Sequence, residues 1–243
     1  MPIYRERDAL PALFEAIDGL DDAPWRVGRT VEYFLVDDGS DDDSAGLAEA
    51  LVAKRALSCV HVLRHSKNLG LSAALRTGFS AGRGEVVCWL DADLSYPASV
   101  LGGLVELVAS GADVATVSPW HPRGEVVGVP RRRVLLSRGL SRACRLATRN
   151  GEIHTWSAMV RAWRRPWLAR CLPEREGHLG VTESLLRAHA LGARIDELPA
   201  TLHARVAGRS SLRVLPGIAG QIAVLGAAAT GRLARASRLA AHG

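Results

Sequence analysis

A chain of 243 residues that is 48% hydrophobic and 23% charged carries enough apolar side chains for one folded domain, which excludes a disordered or fibrous protein. The net charge of +6 is unevenly spread, with 16 acidic and 10 basic side chains in residues 1–100 against 9 and 21 in the remainder. Only 5% of residues are aromatic and the arginines are not interleaved with a stacking array, which argues against nucleic-acid binding; the basic part reads either as a solvated arginine-rich surface or as a surface for a polyanion.

Residues 8–20 place apolar side chains at helical spacing and stop near Gly19. Residues 31–36 form a buried strand that ends at Asp37-Asp38-Gly39-Ser40. A helix around 44–56, a strand at 60–63 and a helix at 71–81 follow, then a buried strand at 85–90 that ends at Asp91-Ala92-Asp93. Helix 101–110 and strand 112–117 continue the alternation. Short apolar strands alternating with helices predict an α/β protein with a doubly wound, mostly parallel sheet flanked by helices. Sites in such folds lie at the carboxyl ends of strands, where both acidic clusters fall.

Past residue 118 the rhythm changes. Residues 119–133, rich in Pro, Gly and Arg, read as a loop, with helices at 134–148 and 182–191. A strand at 194–198 leads to a basic loop at 203–213. Residues 214–230 carry no charge but are shorter than the ~20 residues of a spanning helix, so a core or membrane-surface helix is expected. With no repeat or linker, the chain divides into one domain at 1–213 and an apolar, basic helical extension at 214–243. With 2 Met and 3 Phe, aliphatic packing is expected to dominate the core. Cys59, Cys88, Cys144 and Cys171 are scattered, so neither a zinc site nor a disulfide framework is indicated, and no secretory signal is read ahead of Pro2.

At a strand end, residues i and i+2 project to one side, so Asp91 and Asp93 converge. Two close carboxylates repel unless a cation or proton compensates, and Mg²⁺ or Mn²⁺ completed by substrate phosphates and water would do so. A solvated pair in a turn is the plain alternative. Asp37-Asp38 likewise reads either as part of a nucleotide site or as the lead-in to a helix capped by Ser40 or Asp41. Two acidic strand ends in one sheet suit a nucleotide site, one for the base and one for a metal diphosphate.

Pro2-Ile3-Tyr4-Arg5-Glu6, Val36-Asp37-Asp38-Gly39-Ser40, Asn68-Leu69-Gly70 and Asp91-Ala92-Asp93-Leu94-Ser95-Tyr96-Pro97 occur in the order of the family 2 glycosyltransferases. The chain resembles most the dolichol-phosphate (polyprenyl-phosphate) mannose synthase branch, through Arg161-Ala-Trp-Arg164, the turn Glu197-Leu-Pro199 and the basic loop 205–210. The resemblance implies a GT-A fold, Mg²⁺ or Mn²⁺, and transfer of a mannose- or glucose-type hexose with inversion from a GDP- or UDP-linked donor. It further implies a lipid phosphate acceptor met at the cytoplasmic face of the membrane. By position, Pro2, Tyr4, Glu6, Asp37, Asp38, Asp91 and Ala92 correspond to nucleotide-sugar contacts. Asp91 and Asp93 correspond to the metal site, and Asp93, Arg133 and Arg205 to the catalytic set. A phosphate acceptor is already anionic and needs no strong base, in keeping with His121, His154 and His203 reading as surface or loop residues.

The sequence departs from the family pattern at Arg5 (usually Asn), Ser95 (often Gln), Pro119 (Arg in the mannose synthases), Ala158-Met159-Val160 (Ser-Gly-Phe) and Ser211 (Lys). Because Met1 directly precedes Pro2, the usual first strand is expected to be missing, either because the natural start lies upstream or because the strand is lost at a cost in stability. Two other functions remain open: transfer to a soluble hydroxyl acceptor, with Glu183 as its base, and nucleotide-sugar binding without catalysis.

Overall fold

The computed structural model describes residues 1–204; Arg205, Ser211 and the 214–243 extension lie outside the described residues. The elements in order are β1 (Pro2–Ile3), α1 (Leu10–Asp18), β2 (Tyr33–Asp37), α2 (Ser44–Arg55), β3 (Val60–Arg64), α3 (Leu71–Ala81), β4 (Val86–Trp89) and α4 (Val100–Ala109). Then come β5 (Val114–Ser118), β6 (Glu125–Val127), α5 (Arg131–Thr148), β7 (Arg161–Arg164), α6 (Arg165–Cys171), α7 (Gly177–Ala190), β8 (Ile195–Pro199) and β9 (Thr201–His203).

The first sheet is parallel throughout, in the order β1-β2-β3, with Tyr33 opposite Val60 and Ile3 opposite Asp37. The first strand, expected to be missing, is present in shortened form. Pro2 and Ile3 pair with β2, and the ladder is continued by the Met1 carbonyl, which accepts from Val36 N at 2.9 Å, and the Ile3 carbonyl, which accepts from Asp38 N at 2.9 Å. Even two residues satisfy backbone groups that a bare β2 edge would leave unpaired.

The second sheet has the order β4-β7-β5-β8, and β7 runs antiparallel between β4 and β5. This strand was not expected, because Arg-Ala-Trp-Arg offers two apolar residues between two arginines. Pairing supplies what the pattern lacks: Cys88 and Ala115 flank Ala162 from either side. Alternation along the strands sends Val114 and Trp163 to one core cluster and Ala115 and Ala162 to another. A third, two-stranded parallel sheet joins β6, inside the 119–133 segment that reads as loop from sequence, to β9. Helix α5 starts three residues earlier than its apolar spacing indicates, because its first turn is Arg131-Arg132-Arg133 behind Pro130. Helix α7 likewise starts at Gly177, before the apolar run that announces it.

The larger core cluster joins α1 (Leu10, Leu13, Phe14, Ile17) to Leu35, Leu90, Leu104 and Val117 and is mainly aliphatic, as composition predicts. The other is not, since Trp89, Trp156 and Trp163 sit among Leu168, Leu185 and Leu186, with the Trp89 and Trp163 rings 5.4 Å apart. Three tryptophans supply the volume that few Phe and Met leave unfilled.

His189 packs edge-on against Trp156 at 5.6 Å, and its partial burial lowers its pKa below the ordinary 6.5. Below pH 6.5 the unfolded chain therefore binds protons that the folded chain resists, so this residue contributes stability at neutral pH that is lost on acidification. A His189→Phe variant is expected to show a shallower fall in Tm between pH 7 and 5 than wild type, read by circular dichroism; parallel profiles would contradict the assignment.

Candidate active site

The carboxyl end of β2 is built around a lock between two loops. The Asp38 carboxylate accepts from Leu69 N at 2.9 Å and His65 Nδ1 at 2.7 Å through Oδ1, and from Gly70 N at 2.8 Å through Oδ2. His65 Nε2 in turn lies 2.9 Å from Thr77 Oγ1 on α3. Gly39 has φ +71°, and a Cβ there would fall 2.3 Å from the Lys67 carbonyl carbon, so only glycine lets the two loops meet. Asp37 differs from its neighbour. Its Oδ2 accepts from Ser40 N at 3.2 Å, while Oδ1 is buried with no hydrogen-bond partner among the described residues. Of the two carboxylates read as nucleotide contacts, Asp38 is engaged internally and Asp37 has an oxygen to offer a ligand. The helix that follows is not capped by Ser40 or Asp41. It starts at Ser44, whose N donates to Asp42 Oδ1 at 3.1 Å.

Residues 2–6 lie along this loop. Arg5 N donates to Ser40 Oγ at 3.0 Å and Glu6 N to Ser44 Oγ at 3.1 Å, which fixes Tyr4 between Ile3 of β1 and the loop. Arg5 has φ 55°, a left-handed conformation in which Asn is enriched. The family's usual Asn thus has a backbone reason. Here Arg5 holds the same turn with a two-point ion pair to Asp41, at 2.7 and 2.6 Å and solvent-exposed on both sides. Such pairs contribute about 0–1 kcal/mol. Arg5→Asn is accordingly expected to change stability by less than about 1 kcal/mol in urea titration, the relieved backbone strain offsetting the lost pair.

The second acidic cluster follows β4. Ile3, Leu90, Ala92 and Tyr96 share one core cluster, and the buried Met1 amino group lies within the field of Asp91, which sets the amino-terminal segment near the Asp91-Ala92-Asp93 turn. Ala92 and Asp93 are buried, Asp93 Oδ1 accepts from Ser95 N at 2.9 Å, and Leu94 completes the turn with φ 49°. Ser95 Oγ is buried without a hydrogen-bond partner among the described residues, and the Ser95 carbonyl accepts from His203 N at 2.9 Å. The Tyr96 hydroxyl is held far above its ordinary pKa by burial and then by Asp91, with Arg133 acting in the opposite sense. Tyr96 therefore lies within the fields of both, which relates the first turn of α5 to the acidic turn through Tyr96. Arg133 is half-buried in the first turn of α5, whereas Arg131 and Arg132 are exposed. Three arginines at the positive end of a helix dipole repel it and one another, a cost that a bound anion would relieve. Pro2, Tyr4, Glu6, Asp37 and Asp38 thus lie along β1 and the end of β2, Asp91, Ala92 and Asp93 form the turn after β4, and Arg133 lies on the Tyr96 side of that turn; Arg205 lies outside the described residues.

Two sequence readings change. Glu183 is buried, ion-paired to Arg187 at 3.2 Å and Arg175 at 3.6 Å, and accepts from Arg175 N, so it is a brace within the α7 region and not a base facing solvent. Glu197 is not part of a turn but lies in β8, where it accepts from the backbone of His154 at 2.9 Å and Thr155 at 2.7 Å and pairs with His154 Nδ1 at 2.7 Å. Nothing local to Glu197-Leu198-Pro199 signals this brace, because its partner is 43 residues away.

Residues 1–169 match the profile of the family described as Glycosyl transferase family 2. The chain belongs to this family. Among curated relatives, it is 35% identical over 147 residues to a dolichol-phosphate mannosyltransferase of Pyrococcus furiosus, covering 60% of this chain and 40% of that protein. It is 35% identical over 179 residues to an undecaprenyl-phosphate 4-deoxy-4-formamido-L-arabinose transferase of Pseudomonas aeruginosa, covering 72% of this chain and 49% of that one. A polyprenol monophosphomannose synthase of Mycolicibacterium smegmatis is 33% identical over 224 residues, covering 87% of this chain and 79% of that one. The chain thus spans half or less of the first two relatives. Glucosyl-3-phosphoglycerate synthase from Mycobacterium tuberculosis, crystallised with Mn²⁺, UDP-glucose and glycerol 3-phosphate, superposes with a TM-score of 0.67 at 20% identity, covering 94% of this chain and 78% of that one. That likeness bears on the fold alone, and the fold of this family 2 member is the GT-A fold that its motifs imply.

Proposed function

We propose that the chain is an inverting hexosyltransferase that moves a mannose- or glucose-type sugar from a GDP- or UDP-linked donor to a polyprenyl phosphate. The observation that carries this reading is the placement of Asp37 Oδ1, buried and unpartnered among the described residues, beside the amino-terminal segment that lies near the Asp91-Asp93 turn, in a member of this family. Asp37 would accept from the base, with Tyr4 and Pro2 beside it, and Asp91 would stand near the diphosphate.

The donor set fits a hard divalent cation. Two carboxylates on one turn, with the buried hydroxyl of Ser95 two residues beyond, offer oxygen ligands of the kind Mg²⁺ and Mn²⁺ take, phosphate oxygens and water filling the remaining places. Two structures of the Mycobacterium tuberculosis neighbour hold Mn²⁺ or Mg²⁺ with UDP, which supports the same use in this chain. Asp93 would be the main ligand. The cation supplies neutralisation of the charge that develops on the departing nucleoside diphosphate. Arg133 adds a planar fork for phosphate oxygens, and Arg205 is proposed to close over them.

The names of the curated relatives support a polyprenyl phosphate acceptor. A phosphate oxygen attacks without deprotonation, which agrees with Glu183 being locked in ion pairs. Among the described residues no helix is long and apolar enough to cross a membrane. Helix α5 instead exposes Leu135 and Leu136 about a turn beyond Arg131 and Arg132, and Leu146 near its other end, a mixture suited to an anionic bilayer surface that supports a peripheral position on the cytoplasmic face.

The test is a thermal-shift panel of GDP-, UDP- and dTDP-sugars with and without Mn²⁺. A donor at 100 times its Kd is expected to stabilise the protein by about 2.7 kcal/mol, and only with metal. Stabilisation by none of them would end the donor-site assignment. Sugar transfer to a short-chain polyprenyl phosphate, but not to soluble saccharides, would then fix the acceptor class, and absence of transfer would leave a binding protein.

A further inference from the structure

Beyond β5 the chain turns through Pro119-Trp120-His121 and faces the middle of α5. Between them lies a cavity of about 130 Å³ lined by Trp120, Arg138, Ser141, Arg142, Arg145 and His154, room for a small oxyanion with water. Arg138, Arg142 and Arg145 recur at spacings of four and three residues and so share one helix face. The Arg138 guanidinium stacks over the Trp120 ring, 5.1 Å from its centroid, and Arg145 is steadied by its bond to the Gly151 carbonyl at 2.8 Å.

Arg138 and Arg142 are solvent-exposed and Arg145 is half-buried, but two features set this wall apart from an ordinary arginine stripe. None of the three arginines is ion-paired with a carboxylate among the described residues, and Glu197, held close by through His154, has its oxygens taken by His154 and Thr155. The Trp120 Nε1–H is also buried with no acceptor among the described residues. The buried indole donor is costly while it lacks an acceptor, and three positive charges at the same concavity favour an anion as that acceptor. The donor types match a tetrahedral oxyanion, which takes arginine forks and N–H groups from several directions.

We infer that this pocket is a second oxyanion site, separate from the one at Asp91, Asp93 and Arg133, and that it takes the phosphate of a phosphate monoester. At 1.5 Å per residue it lies about 8–18 Å further along α5 than Arg133, so the diphosphate of one donor does not fill both. Only the identity of the molecule that carries the phosphate rests on the transferase reading: it is the acceptor, whether a prenyl phosphate held here before its phosphate moves to the donor or a soluble compound that keeps its phosphate here.

Isothermal titration of the full chain with inorganic phosphate, glycerol 3-phosphate and farnesyl phosphate tests the site without any sugar transfer. Wild type is expected to bind inorganic phosphate saturably, and Arg142→Gln with Arg145→Gln to weaken it about tenfold or more. Trp120→Phe, which keeps the ring and removes the N–H, is expected to weaken it severalfold. Tighter binding of farnesyl phosphate than of phosphate identifies a lipid source, tighter binding of glycerol 3-phosphate a soluble one, and equal binding of all three assigns the site to free phosphate. Should the double variant fail to fold, Arg138→Gln, which removes no backbone hydrogen bond, takes its place. No saturable binding by wild type, or unchanged affinity in the variants, overturns the inference. Metal-dependent stabilisation by a nucleotide-sugar is scored separately, so loss of one result does not stand for loss of the other.

Discussion

Replacement of Asp93 by alanine is expected to lower the rate of sugar transfer by about 10³-fold while leaving a folded protein. A metal ligand is asked to deliver several kcal/mol of charge stabilisation to the departing diphosphate, and each 1.36 kcal/mol is about a factor of ten in rate. The change also removes the acceptor for Ser95 N, a loss of about 1 kcal/mol in stability that the turn between β4 and α4 should survive. Asp93→Asn retains an oxygen for Ser95 N but not the charge, so it separates the two effects: its stability should be close to wild type and its rate close to that of the alanine variant. Single-turnover rates across a Mn²⁺ titration give the measurement. An Asp93→Ala protein with wild-type metal-dependent transfer would remove Asp93 from the site.

The largest effect on stability is expected at Arg161. This residue is fully buried at the start of β7, donating to the Val181 carbonyl at 2.6 Å and the Trp156 carbonyl at 2.7 Å, with Thr116 Oγ1 at 3.4 Å. Burial pulls its pKa down to about 9, which still leaves it protonated at neutral pH. One guanidinium therefore ties together the second sheet, helix α7 and the Trp156 loop. Arg161→Met fills much of the volume but strands two buried carbonyls, a cost of about 3–5 kcal/mol. Arg161→Lys should recover little, because a single ammonium does not reproduce the planar fork that spans both carbonyls. Urea denaturation followed by tryptophan fluorescence measures the loss; a change below about 1 kcal/mol would show that the carbonyls find other partners.

These two residues also mark what the sequence makes legible. Asp93 is visible because its surroundings are local: a continuous apolar strand, an acidic turn and a helix, read in order. The same holds for most elements up to residue 118, where hydrophobic periodicity and burial coincide. Arg161 is invisible because its partners are 20 and 5 residues away and an arginine at a strand end reads as solvent-facing. For the same reason β7 is missed, α5 loses its first turn to three arginines, and Glu183 is offered as the base for a hydroxyl acceptor. In each case a charge is buried or placed by pairing across the chain, which periodicity does not register. The division of labour between Asp37 and Asp38 is hidden too, since it depends on which of them the Asn68-Leu69-Gly70 turn engages.

The position of β7 has a bearing on how the chain reaches this fold during synthesis. Strands β4 and β5 do not bond to each other; each bonds to β7, which is made later. Emerging from a ribosome, the first sheet can close as soon as β3 is out, whereas β4 and β5 wait as two unbonded strands until residues 161–164 arrive to be threaded between them. A nascent chain arrested between β5 and β7 would therefore display open strand edges, the kind of surface that chaperones cover and that self-associates when they do not.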